Sequence, residues 1–516
     1  MFNYKDVTKM NWNSKLKEQM TVTNHEGAKA YAMTPELELY TAVVTASLSD
    51  LCYEKQDERV KRIAALVGKV SPEFVARLAV YARTQMHLRS IPLLLLVELA
   101  KVHNGDDLVA RAVEKTVLRA DEIMELLMCY QWRNPSADPR KKLGKLSRQM
   151  QNGLQRAFNR FDEYQFAKYD RDNLEVKLRD ALFLVHPKAK DEQQQALFDK
   201  IVNRQLETPY TWETELSALG QQPFASEEEK TAAFRQKWEE LVRSGKLGYM
   251  ALMRNLRNLL QADVSFADLQ VVCDRLSDAV QVAKSKQLPF RYLSAYREVE
   301  QVNSTGTSAL MSALETAVRH SAANIEGFDE NTRVLIASDV SGSMWTRVSA
   351  KSTVRLFDIG LLLSMLLKSR CQQVIAGIFG DIWRVVNMPS DNILMATRQL
   401  ERLEGKVGYS TNGYKVVDWL VEKKQVMDKV MMFTDMQMWD STGRDCTFER
   451  SWRRYKQFAP HAKLYLFDLG GYGQLPLRLV EPDVYLIAGW SDRVFDVLTA
   501  MDKGGDALSV INSIEV

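Results

Sequence analysis

The sequence predicts two fold classes in one chain: an all-α array of packed helices, then an α/β doubly wound domain. Three observations carry that reading. From about Thr34 to His320 the apolar residues recur at helical spacing, with no strand alternation between them. After about Asn331 short apolar runs alternate with helix-sized segments. The chain is 516 residues long, more than one ordinary core supports, so two or three domains are expected.

In the first half, side chains mark the helix starts. Thr34-Pro35 and Ser71-Pro72 each place a hydroxyl N-cap ahead of proline, which has no N–H to lose at the first helical position. Phe74, Val75, Leu78, Ala79 and Tyr81 then line one helix face. Ser226 with Glu229 has the capping-box pattern, and the helix it opens is expected to run to Gly245. Helices of this size, joined by short polar links, suit a solenoid of stacked helix pairs. A globular multi-helix bundle fits the same period nearly as well.

In the second half, Val334–Ala337, Val374–Phe379, Val430–Phe433, Leu464–Phe467 and Val484–Ile487 read as strands. Val354–Leu367, Ile393–Leu403, Tyr414–Val421, Arg450–Phe458 and Arg493–Met501 read as the helices that alternate with them. Strands this apolar belong to a parallel sheet covered on both faces. Such sheets bind ligands at the carboxyl ends of their strands.

The first of those ends reads Asp339-Val340-Ser341-Gly342-Ser343. This DxSxS turn puts a carboxylate and two hydroxyls on alternate residues, and all three are hard oxygen donors of the kind Mg²⁺ prefers. Two later loops fall at carboxyl ends of the same sheet and can complete a ligand set. Thr411 lies in Gly408–Gly413, with Ser410 as the alternative hydroxyl, and Asp435 directly follows the strand Val430–Thr434. The competing reading of DxSxS alone is an Asx or Ser turn at a strand end. Taken together, the three loops resemble the metal-ion-dependent adhesion site of von Willebrand factor A domains, whose fold is doubly wound and Rossmann-like. The resemblance implies that Asp339, Ser341, Ser343, Thr411 and Asp435 surround one divalent cation, expected to be Mg²⁺. The sequence places His320 ahead of the sheet and His461 late in it, so no histidine is expected near the cation. Without a nucleophile–base pair or a second metal, the site reads as one that captures a protein partner's carboxylate rather than one that hydrolyses.

Composition narrows the remaining classes. The formal charge is only +3, which does not support a global grip on nucleic acid but leaves room for a local basic patch. Cys52, Cys129, Cys273, Cys371 and Cys446 are odd in number and far apart, so neither a zinc cluster nor a disulfide framework is expected. The N-terminus has no apolar signal core. The longest apolar runs, Ile91–Ala100 and Ile359–Leu367, fall short of the roughly 20 residues of a membrane span. A soluble, cytoplasmic chain with no membrane contact is expected.

Four stretches of the helical half carry a second resemblance: Tyr81–Pro92, Lys168-Tyr169 leading to Arg179–Lys188, Leu252–Asn258 and Leu288–Arg297. Their order, ahead of an A domain, resembles the Ro autoantigen (TROVE-domain) family and its bacterial relatives. The resemblance implies a tail over residues 1–23, a TROVE helical-repeat, HEAT-like RNA-binding domain over 24–325 and an A domain over 326–516. It also implies a monomeric ring closed by the A domain. Single-stranded ends of misfolded small noncoding RNAs would enter the hole, and Y RNA-like RNAs would bind outside. An exoribonuclease such as polynucleotide phosphorylase is an expected partner. His186 and Lys188 match positions the family uses for RNA contact. The stretch between Lys168 and Asp180 departs from the family pattern. It carries Asp170, Asp172 and Glu175 and lacks a Gly-Trp pair, so weaker phosphate contact is expected there.

The residues themselves point the same way in part. Arg140, Lys141, Lys142, Lys145 and Arg148 form a basic run, and positions 141, 145 and 148 would share one face of a helix. Phe158, Phe161, Tyr164 and Tyr169 follow and could stack on bases. The alternative is a solvated helix face above buried aromatics. With Lys168, Arg171, Arg179, His186 and Lys188, these cations make up the candidate RNA contacts. The expected function is a non-enzymatic scaffold for small RNAs in RNA quality control or stress response. The alternative is a metal-dependent protein-binding adaptor that does not grip RNA.

Overall fold

The computed structural model describes residues 20–46, 55–135, 146–171, 173–287, 289–321, 331–348, 352–368, 371, 373–387, 392–401, 405–444, 447–479, 483–489 and 506–516. Among these the strands are β1 (Thr21–Thr23), β2 (Lys29–Ala32), β3 (Val334–Asp339), β4 (Val374–Phe379), β5 (Trp383–Val385), β6 (Lys429–Thr434), β7 (Lys463–Asp468), β8 (Gln474–Leu475) and β9 (Val484–Ala488). Every other element is a helix.

Chain contacts gather the described residues into two units. One draws on Met1–Val60, Cys273–Asn303 and Thr307–Val510, the other on Lys61–Val272, Ser304–Gly306 and Ile511–Val516. Secondary-structure class and compactness therefore divide the chain differently. The unit that holds the large sheet also takes in the helices Pro289–Glu300 and Thr307–Ser321.

In the sheet-bearing unit, six strands lie in the order β5-β4-β3-β6-β7-β9. All pairs are parallel except β4 with β5. Every residue of β3 and β6 is buried, which is why Val334–Ala337 and Val430–Phe433 read as unbroken apolar runs. From β3 the chain moves to β4 on one side and only later to β6 on the other. The order reverses between β3 and β6, and a crevice at the carboxyl ends follows from that topology. Four helices of this unit are tied in pairs through buried charge. Arg297 makes a two-pronged pair with the fully buried Asp358, at 2.9 Å on each prong. Glu315 accepts from the backbone N–H groups of Leu394 and Met395, capping the helix Ile393–Glu401.

Three features were not expected. β5 is an antiparallel edge strand of three residues. β1 and β2 form a hairpin where a tail and the start of the helices were expected, and β2 pairs with β8 to complete a small antiparallel sheet. The expected helix Arg493–Met501 lies outside the described residues.

The other unit is helical. Thr34, Ser71 and Ser226 cap as their types predict, although Thr34 belongs to the sheet-bearing unit. Ser71 Oγ accepts from Phe74 N at 3.2 Å, and Ser226 Oγ from Glu229 N at 3.2 Å. The helix Ser90–Val102 is buried from Ile91 through Leu99, which explains its apolar run without a membrane. It packs on Pro72–Thr84 and on Ala120–Arg133, while Pro72–Thr84 also packs on Leu108–Thr116 and that helix on Arg148–Phe158. Each helix thus meets its neighbour but one, the pattern of a stacked two-layer array. Gly153 sets the closest approach: a Cβ there would lie 2.6 Å from the Val113 Cβ. No helix among the described residues is long and apolar enough to cross a membrane.

Candidate functional site

At the crevice between β3 and β6 the DxSxS turn folds back on itself. Ser341 N donates to Asp339 Oδ1 at 2.8 Å, and Thr434 Oγ1 donates to Asp339 Oδ2 at 2.6 Å. The hydroxyls of Ser341 and Ser343 lie 3.4 Å apart, and Ser343 also bonds the Asp435 carboxylate. Gly342 N donates to Tyr409 O at 3.2 Å, and Trp439 N donates to Thr411 O at 3.2 Å. These backbone bonds tie all three loops together. Asp339, Ser341, Ser343, Thr411 and Asp435 are all buried. Ser410, the alternative hydroxyl, is engaged instead with Asp381, whose Oδ1 accepts from Ser410 N at 2.8 Å.

Burial pushes the Asp339 carboxyl up, and the neighbouring Asp435 charge pushes it further. Asp435 is raised first by burial, with Glu26 adding to the effect. One oxygen of Asp435, Oδ2, is buried and has no hydrogen-bond partner among the described residues. Two buried carboxylates side by side, one with an idle oxygen, fit a hard divalent cation, which would satisfy both charges at once. No cluster of three His, Cys, Asp or Glu side chains suited to a metal occurs among the described residues. The set here has two carboxylates, and its other donors are hydroxyls.

Sequence reasoning missed what covers this crevice. The turn Asn24–Ala28 docks on the loop after β6: Asn24 Nδ2 donates to Met438 O at 2.8 Å and His25 N to Gln437 Oε1 at 2.9 Å. This turn brings His25 to the loop after β6 through its backbone. The His25 ring stands edge-on to Tyr472, and Glu26 is close enough to raise Asp435. A further acid, Asp468, ends β7. It is fully buried, its Oδ1 accepts from Gly470 N and Gly471 N, and burial pushes its carboxyl up to about 7.

The candidate RNA residues sit in the helical unit. Arg140, Lys141, Lys142 and Lys145 lie outside the described residues. Ser147 is an N-cap with extended backbone, so a new helix begins at Arg148. The expected helix face through 141, 145 and 148 thus falls mostly on residues outside the described ones, with Arg148 as the first residue of its own helix. Phe158 and Phe161 are buried, packed with Phe166 and Phe198, and cannot stack on bases.

Other rings take that place. Trp132, Tyr164 and Phe183 are about half exposed, at 53%, 48% and 46%. Each carries a cation: Arg133 over Trp132 at 5.5 Å, Lys168 over Tyr164 at 5.8 Å, Arg179 over Phe183 at 5.4 Å. Arg119 and Lys168 both lie over Tyr169. The helix Ala120–Arg133 packs on both Glu163–Ala167 and Leu178–Val185, so these rings come from neighbouring elements. Trp132 and Phe183 were not among the expected stacking rings, since only the packing shows which face of a helix is outward.

His186 ends the helix Leu178–Val185 in the left-handed conformation, φ 49°. Side-chain amides hold that strained turn: Gln155 Nε2 donates to Val185 O and His186 O, and Asn159 Nδ2 to Lys188 O at 2.8 Å. His186 and Lys188 on this turn are exposed, and so is Arg171. Of the acids in that stretch, Glu175 accepts from Gln131 Nε2, and Asp170 shares a small cleft with Lys177, Arg179 and Arg204.

The architecture is thus a stacked helical unit bearing cation-backed rings, with an α/β unit that holds an oxygen-lined crevice. The TROVE domain family matches residues 5–237 and 203–337, and the chain belongs to the TROVE family, a family known for binding RNA. The crystal structure of the Deinococcus radiodurans Ro (RSR) protein superposes with a TM-score of 0.58, covering 91% of this chain and 100% of that one at 19% identity. A likeness at that identity speaks for the fold. The mouse and rat proteins named telomerase protein component 1 are each 37% identical over 97 residues, or 19% of this chain. The chain spans only 3% of the length of those relatives.

Proposed function

We propose that this chain is a non-enzymatic RNA-binding scaffold that holds single-stranded or misfolded small noncoding RNAs, Y RNA-like RNAs among them, in RNA quality control or stress response. The observation that carries the reading is the set of exposed rings in the helical unit, each backed by Arg or Lys. Bases stack on such rings while the cations meet phosphates, a combination suited to unpaired strands. Arg148, Lys168, Arg171, Arg179, His186 and Lys188 supply contacts around them, and the run Arg140–Lys145 adds charge. The stacked helices support HEAT-like repeats, and an exoribonuclease of the polynucleotide phosphorylase type would process what the scaffold presents.

The sheet-bearing unit is read as a von Willebrand factor A-type domain. Asp339, Ser341, Ser343, Thr411 and Asp435 would hold one Mg²⁺. A cation held there would offer an open position to an oxyanion such as a partner's carboxylate. The chain's own part is to bury the donors and orient them through Thr434 and the backbone of the turn.

The test is purification from source cells, followed by sequencing of any nucleic acid that comes with the protein. Fluorescence anisotropy with a single-stranded oligoribonucleotide at low salt accompanies it. Co-purified small RNA and salt-sensitive binding are expected. No RNA by either measure would overturn the scaffold and leave the metal-dependent adaptor, which the idle Asp435 oxygen favours.

A further inference from the structure

The helix Phe448–Phe458 turns Phe448, Ser451, Trp452 and Tyr455 into the core of the sheet-bearing unit. Its opposite face carries Arg450, Arg453, Arg454 and Gln457, at i, i+3, i+4 and i+7. Such a stripe facing open water would be an ordinary solvated face. Here it lines one wall of a cleft of about 520 Å³, and Lys29 and Arg478 line it from the small sheet and the segment after it. That volume lies within the roughly 300–1,000 Å³ of small-molecule sites.

Five cations converge on this cleft, against one lining carboxylate, Glu449. Glu449 is shared: it accepts from Tyr31 Oη at 2.5 Å and pairs with Arg453 at 2.8 Å and Arg478 at 3.5 Å. Asp418 meets Arg454 at 2.6 Å from outside the lining. Lys29 and Arg478 both lie over the buried Tyr31 ring, at 5.6 and 5.3 Å, which fixes where their charges stand. Bringing like charges into one concavity works against folding, and a cleft focuses their field. An adjoining cleft shares Lys29, Thr447 and Pro476 and reaches Gly413, Met438 and Trp439, beside Thr411. The two clefts share this wall, which separates the arginines from the rim of the loops that would hold the cation.

We propose that this cleft is a second RNA site, in which Arg450, Arg453 and Arg478 bind the phosphates of one or two nucleotides of a single strand. The proposal rests on the RNA-binding reading above. It differs in placing part of the grip on the sheet-bearing unit. Arginine forks match phosphate oxygens two at a time, and phosphate contact carries no base identity, so the cleft accepts many sequences.

Full-length wild-type chain is titrated with a fluorescein-labelled oligouridylate across a salt series, beside the variant Arg450→Ala/Arg453→Ala/Arg478→Ala. Each lost phosphate contact removes about 0.7 from the slope of log affinity against log salt, so losing one or two phosphates should lower the slope by about 0.7 to 1.4. The variant Arg450→Lys/Arg453→Lys/Arg478→Lys keeps the charge and should keep most of the slope. Should the alanine variant fail to fold, acetylation of Lys29 in the wild type, read by mass spectrometry, decides: saturating oligouridylate should protect it at least severalfold. If wild type binds the oligomer while the alanine variant keeps its slope, or Lys29 acetylates at an unchanged rate, the cleft is not an RNA site although the scaffold reading stands. If Lys29 is protected by an acidic peptide and not by RNA, the cleft proposal is likewise overturned. If wild type binds no RNA at any salt, the scaffold reading itself falls, and the cleft proposal with it.

Discussion

The crevice between β3 and β6 and the ring-bearing face of the helical unit build their chemistry in opposite ways. In the crevice every donor is buried, and backbone bonds such as Gly342 to Tyr409 fix the loops. Burial raises the cost of charge on Asp339 and Asp435, and that cost is what a cation relieves. On the helical unit Trp132, Tyr164 and Phe183 stay exposed, and the cations above them remain within reach of solvent. One region would gain by excluding water, the other, as proposed, by offering surface to a ligand that brings its own counterions. The first should therefore respond all-or-none to a single change, the second in small, salt-dependent steps.

The largest expected effect tests the first half of that contrast. Asp339→Ala should abolish Mg²⁺ binding by titration calorimetry and leave single-stranded RNA affinity nearly unchanged. Retained Mg²⁺ binding would put the cation elsewhere, and lost RNA binding in a folded variant would break the division between the two regions. Next in size, Trp132→Ala and Phe183→Ala should each weaken oligoribonucleotide binding on the order of tenfold, since a stacked base contributes about 1–3 kcal/mol. Wild-type affinity in both variants would mean that the exposed rings serve no ligand.

A third effect concerns pH. Burial holds the Asp468 carboxyl at about 7 in the folded chain, against about 3.9 unfolded. The folded state thus binds this proton more tightly. The contribution of Asp468 to stability is full below about pH 4 and is lost as pH rises to about 7. Asp468→Asn should flatten the fall in urea midpoint between pH 5 and pH 8. An equal fall in the variant would assign it to other groups. The smallest effect is a single cation: Arg171→Gln should lower the salt slope of RNA binding by about 0.7 if Arg171 meets one phosphate. An unchanged slope, measured by anisotropy, would remove Arg171 from the contact set.

How far each region was legible follows from the same contrast. The donors of the crevice sit in one five-residue turn and at two strand ends, and apolar strands such as Val374–Phe379 announce themselves locally. The turn Asn24–Ala28 that covers the crevice gave no such signal, because its partners Gln437 and Met438 lie more than 400 residues away. β5, with three residues, is too short for any period to show. On the helical side, periodicity finds an amphipathic helix, but aromatic residues occupy both faces. Phe158, a candidate for base stacking with burial as its alternative, is buried, while Phe183, which the period did not single out, is exposed. The helix start at Arg148 depends on the Ser147 hydroxyl cap, which the surrounding run of cations obscured.

The pairing of β2 with β8 has a consequence for how the chain is made. Tyr31 stands opposite Leu475, so the hairpin leaves the ribosome long before its third strand is translated. At about 5–20 residues per second that interval is roughly 20 to 90 seconds. Throughout it the edge of β2 is an unfilled hydrogen-bonding row, open to pairing with other nascent chains. The helical segments between 61 and 272 are made during that wait, and the sheet-bearing unit has to assemble around an N-terminal piece already outside the tunnel. Chaperone occupancy on stalled nascent chains should therefore persist at the hairpin until residue 475 has emerged.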